Sequence, residues 1–129
     1  MSARYYAIVW MNHNAAEVYR LNAIEQSKVV VNSHTSVQTL QHHGHMDGTE
    51  HHPVDVDYFT RITSTLNHVG GTLLAGPGEA RFEMGRYLTE SRPDLASHMH
   101  EIDTPAHPGE AGLIAIARNY FGLAGQPAP

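Results

Sequence analysis

The run Tyr5-Tyr6-Ala7-Ile8-Val9-Trp10-Met11 is apolar from end to end and rich in β-branched and aromatic side chains. That is the pattern of a strand covered on both faces. Asn12-His13-Asn14 follows at once. Asparagine tolerates left-handed backbone and bonds to its own main chain, so the tripeptide reads as a hairpin turn. Beyond it, Ala16 and Val18 alternate with Glu17, Tyr19 and Leu21, which predicts a second strand over 15–21. A polar turn over 22–27 then leads into Lys28-Val29-Val30-Val31-Asn32, a third strand. Connections this short place the three side by side as an antiparallel meander.

Residues 34–53 are polar, contain glycine and fit no helical or strand period, so they read as a loop of a length usually tied to function. From Asp55 the apolar residues Phe59, Ile62, Leu66 and Val69 recur at helical spacing. Acidic residues occupy the first turn, and Gly70-Gly71 acts as the stop. Thr72-Leu73-Leu74-Ala75 reads as a short buried strand ending in Gly76-Pro77-Gly78. Ala80, Met84, Tyr87 and Leu88 mark a second helix that Arg92-Pro93 ends, and residues 98–103 read as a fifth strand. A last helix starts near Pro108-Gly109-Glu110 with Leu113, Ile116, Ala117 and Tyr120 inward, and Gly122 stops it. Strands joined through a helix pair in parallel, so the last two extend the meander into a five-stranded mixed sheet. The expected class is α/β with ribonuclease H-like architecture. One domain over 1–123 is expected, with a mobile tail over 124–129.

Composition narrows the function. The absence of cysteine removes disulfides, thiolate metal sites and cysteine nucleophiles. The N-terminal apolar run is too short to span a membrane and has no small-residue cleavage site after it, so a cytoplasmic protein is expected. Lys and Arg number 8 against 13 Asp and Glu, a balance unlike that of a general nucleic-acid binder. The 11 histidines are the outlier, since protonating all of them would take the formal charge from −5 to +6.

Candidate sites follow from these features. His42, His43, His45, His51 and His52, with Asp47 and Glu50, offer enough imidazole and carboxylate for zinc, nickel or copper. The same loop also reads as a solvated or RNA-facing segment that gains charge on protonation. His98 and His100, two apart on a predicted strand, project to one face and could form a metal pair or an exposed edge. Gly76-Pro77-Gly78 before Glu79-Ala80-Arg81 puts backbone N–H groups at a helix start beside a guanidinium. Gly76, Gly78 and Arg81 are thus a candidate RNA- or anion-binding site, or else a tight turn that needs glycine geometry. No catalytic set is present. The opening strand lacks the acidic residue a ribonuclease H-type nuclease requires, and Ser33 near His34 sits in no nucleophile elbow.

Three blocks carry a family likeness: Ala7-Ile8-Val9-Trp10 with Ala15-Ala16-Glu17-Val18; Leu73-Leu74-Ala75-Gly76-Pro77-Gly78-Glu79-Ala80-Arg81; and Ile102-Asp103-Thr104-Pro105-Ala106-His107-Pro108. Along nearly its whole length the chain resembles the middle domain of archaeo-eukaryotic peptide-chain release factors and their Pelota-type relatives, in the stand-alone bacterial form described as a translational machinery protein. Release factors carry Gly-Gly-Gln in the loop before the first helix to trigger peptidyl-tRNA hydrolysis. Here that loop reads Gln41-His42-His43-Gly44-His45-Met46-Asp47-Gly48-Thr49-Glu50-His51-His52. The resemblance therefore implies a non-enzymatic module with a ribosome or RNA-protein partner. A metal-binding or pH-sensing protein is the alternative, and a homodimer through a sheet edge remains open.

Overall fold

The computed structural model of the protein describes residues 4–33, 55–104 and 106–123. Its elements are β1 (Tyr5–Met11), β2 (Ala15–Leu21), β3 (Gln26–Asn32), α1 (Val56–Ser64), β4 (Val69–Ala75), α2 (Ala80–Ser91), α3 (Pro93–Ala96), β5 (Met99–Glu101) and α4 (Gly109–Phe121). The five strands form one mixed sheet in the order β3-β2-β1-β4-β5. β2 is antiparallel to both β1 and β3, whereas β1, β4 and β5 run parallel. The expected α/β class and strand arrangement are therefore present.

Both hairpins close by the same device. The Oδ1 of Asn12 accepts from the backbone N–H of Asn14 at 2.8 Å and of Ala15 at 3.0 Å. The Oδ1 of Asn22 accepts from Ile24 at 2.8 Å and Glu25 at 2.9 Å. At each turn a short amide side chain thus takes two backbone N–H groups beside the main-chain bond that closes the hairpin.

β1 is covered on both faces. Ala7, Val9 and Met11 join Tyr58, Phe59 and Ile62 of α1 and Met84 and Leu88 of α2 in one buried cluster. Ile8 packs on the opposite side with Leu113, Ile114 and Ala117 of α4. Alternate residues of one strand thus anchor two helix layers. β3 is one of the two edge strands, with Val29 and Val30 exposed. Among the described residues no helix is long and apolar enough to cross a membrane.

Several boundaries differ from the sequence reading. α1 ends at Ser64, and Val69 opens β4 instead of closing the helix. His68, at φ +69°, turns the chain between them. Leu66 remains buried in that turn, so helical spacing found the right core residue in the wrong element. Gly70 and Gly71 lie inside β4 because of close packing. A Cβ on Gly70 would stand 2.2 Å from Arg4 Cδ, and one on Gly71 2.8 Å from Phe121 Cε1. β5 is shorter than expected at three residues, and Pro93 opens the short helix α3. On α4 the inward set includes Ile114, whereas Tyr120 is half exposed.

Candidate functional site

Because β1, β3, β4 and β5 all run the same way, their carboxyl ends share one sheet edge. In open α/β sheets that edge is where ligands and partners are met. Four local structures gather there.

The first spans the gap between β3 and α1. Ser33 Oγ donates to Asp55 Oδ2 at 2.7 Å, which joins the residues flanking segment 34–54. Asp55 also caps α1, accepting from Tyr58 N–H at 2.9 Å through Oδ1. Ser33 N–H donates to Asn14 O at 2.8 Å, and Tyr58 Oη donates to Asn12 O at 2.9 Å. Arg61 reaches back to Asn32 O at 2.7 Å and pairs with Asp57 at 2.9 Å. Burial, and then the charge of Asp55, push the Tyr58 hydroxyl well above its ordinary range, with Arg61 opposing. It stays a donor at any physiological pH. The segment bearing His42, His43, His45, His51 and His52 therefore leaves and returns at one hydrogen-bonded point. The five histidines themselves lie outside the described residues.

The second is the turn from β4 to α2. Gly76 adopts φ +131°, and a Cβ there would stand 1.9 Å from Met11 O. Gly78 adopts φ +70° with open space around it. Arg81, with its side chain 12% exposed, donates to Gly76 O and to Asp103 Oδ1 and lies over the Phe82 ring at 4.6 Å. The structure brings Gly76, Gly78 and Arg81 together, with the guanidinium engaged by a carbonyl and a carboxylate. This geometry fits the tight-turn reading: Arg81 fastens β4 to the segment after β5.

The third joins β2 to the start of α4. His107 Nε2 lies 3.0 Å from Glu17 Oε1, and the imidazole sits against Trp10 with ring centroids 4.3 Å apart. Glu17 Oε1 also accepts from Tyr19 Oη at 2.7 Å. The fourth is an open groove of about 340 Å³ between α1 and α2, lined by Val56, Glu83, Arg86, Tyr87, Glu90 and Ser91. At its rim His13 Nε2 lies 2.9 Å from Glu83 Oε1.

Among the described residues no group of three or more metal-type side chains converges. His98 lies in the turn before β5, its carbonyl accepting from Thr72 N–H at 3.0 Å, and the His100 ring packs near Tyr120 at 5.6 Å.

This architecture matches Pelota from Archaeoglobus fulgidus with a TM-score of 0.60 at 16% identity, over 92% of this chain and 32% of that one. Thermoplasma acidophilum Pelota gives 0.59 at 19% identity, over 91% and 32%. The fold is Pelota-like. An archaeal translation termination factor matches at 0.50 with 13% identity, over 88% of this chain and 33% of that one. In sequence, a pelota homolog of Methanococcus vannielii is 35% identical over 63 residues, which is 48% of this chain and 18% of that protein. The chain thus spans about a third of the length of its solved Pelota relatives. No protein-family model matches it.

Within this Pelota-like frame the sequence missed the Glu17 cluster, because Glu17 and His107 lie 90 positions apart. Burial pushes the Glu17 carboxyl up, but its bonds to Tyr19 and His107 outweigh that and hold it below its ordinary value of 4.5. A folded-state value below the unfolded one gives stability that is present above the unfolded value and is lost as pH falls through the folded one. Glu17→Gln is expected to cost about 1 kcal/mol at neutral pH, from two weakened bonds to a charged acceptor. It should also flatten the fall in stability below about pH 4.5, the unfolded carboxylate range. Urea unfolding across that range tests this; an unchanged acid slope would refute it.

Proposed function

We propose that the protein is a non-catalytic cytoplasmic module of translation that associates with the ribosome or a related RNA-protein assembly. The observation that carries this reading is the match of about nine-tenths of the chain to Pelota folds, with residues 34–54 tethered between Ser33 and Asp55. By the sequence resemblance, that segment corresponds to the release-factor loop before the first helix. Its histidines and lack of Gly-Gly-Gln favour a contact role over peptidyl-tRNA hydrolysis. All eight basic residues of the chain lie outside it, so its charge toward RNA rises only as imidazoles protonate. The Gly76–Arg81 turn, on the same sheet edge, supplies the rigid part of the surface.

Sucrose-gradient fractionation of cell lysate tests the reading. The protein is expected in ribosomal or subunit fractions, released by raised salt. Sedimentation only at the top of the gradient, in growth and under stress alike, would overturn it.

A further inference from the structure

The β5–α4 connection carries a histidine whose two ring nitrogens perform different tasks. His107 Nδ1 accepts from the backbone N–H of Gly109, the first residue of α4, at 2.8 Å. Its Nε2 faces Glu17 Oε1 at 3.0 Å. An acceptor at Nδ1 has no proton, so the neutral ring carries its proton on Nε2 and donates to Glu17. Neutral imidazole thus ties the start of α4 to β2, with Trp10 of β1 against the ring. Pro108 provides no side-chain cap, so this ring nitrogen satisfies an N–H that a helix start otherwise leaves unpaired.

Protonation acts oppositely on the two sides. It converts Nδ1 into a donor facing the Gly109 N–H and places a positive charge at the positive end of the α4 dipole. On the other side it strengthens the attraction to Glu17. The charged groups near the ring sort the same way. Glu17 of β2 faces it directly, with the Tyr19 hydroxyl on the same carboxylate oxygen. Lys28 of β3 lies 3.6 Å from Glu110 of α4. β1 presents only the uncharged Trp10.

We infer that His107 is a pH-sensitive latch: as a neutral ring it caps α4, and on protonation it stays with Glu17 and releases the first turn of the helix. The packing of Leu113, Ile114 and Ala117 against Ile8 and Tyr19 keeps the rest of α4 in place. The change is therefore local to the β5–α4 connection.

Two measurements on the full chain test the latch. Nitrogen NMR of the wild-type ring at about pH 8, where histidine is ordinarily neutral, should show His107 with an unprotonated Nδ1. A proton on Nδ1 instead would overturn the inference without any variant. Amide exchange of Gly109 should then lose protection by about fivefold, the equivalent of one cap at roughly 1 kcal/mol, as the ring titrates. In His107→Asn, which has no titrating ring, the protection should not vary with pH. Constant wild-type protection through the ring's titration, or the same loss in the variant, would overturn it.

Discussion

Gly76→Ala is expected to destabilise the protein by about 3–5 kcal/mol, combining backbone strain with forced displacement of a packed strand end. The added Cβ would fall 1.9 Å from Met11 O and 2.9 Å from Met11 N. Both atoms are main chain, so no rotamer can relieve the contact. The residue also holds φ +131°, which side chains rarely adopt. Gly78→Ala is the comparison that isolates the effect. It has a positive φ but no atom within 4 Å of its would-be Cβ, so it should cost only about 1–2 kcal/mol, the ordinary left-handed penalty. Urea unfolding followed by circular dichroism separates the two; equal costs would show that close approach to β1 is not what selects glycine at position 76.

Asp55→Ala is expected to cost about 2–4 kcal/mol, since it removes a helix cap and the ionised acceptor of a hydrogen bond together. Its Oδ1 serves Tyr58 N–H and its Oδ2 serves the Ser33 hydroxyl. Asn retains the capping oxygen, so Asp55→Asn should recover about half of the loss. Ser33→Ala removes the tie while keeping the helix cap and should cost about 1–2 kcal/mol. If Asp55→Ala costs no more than Ser33→Ala, the carboxylate is not joining the two functions. Thermal or urea unfolding of the three variants gives the ranking.

The sheet could be read from the chain because its strongest signals are local. A continuous apolar run gave β1, an asparagine turn and a polar turn gave the hairpins, and helical spacing gave Phe59, Ile62, Met84 and Leu88. Errors arose where tertiary contact overrides local pattern. Gly70-Gly71 resembles a helix stop, yet those glycines make room for Arg4 and Phe121 within β4. Tyr120 continues the apolar spacing of α4, but Ile114 takes the inward position.

The candidate site was only partly legible for the same reason. The Gly76–Arg81 turn is contiguous and visible in sequence, whereas the partner of its arginine, Asp103, lies 22 residues on. Ser33 and Asp55 are also 22 apart, and His107 finds Glu17 across 90. No periodicity encodes such pairs. They become visible only when the strand order brings the carboxyl ends of β1, β3 and β4 to one edge.

The most direct test of the translation reading is a pelleting assay with purified ribosomes. It compares the full chain with a variant in which residues 34–53 are replaced by a glycine-serine linker while Ser33 and Asp55 are kept. The full chain should pellet with ribosomes and be released by salt, and the variant should lose at least about tenfold in binding, or roughly 1.4 kcal/mol, with its unfolding midpoint unchanged. Equal pelleting of both proteins, or pelleting of neither at low salt, would contradict the account.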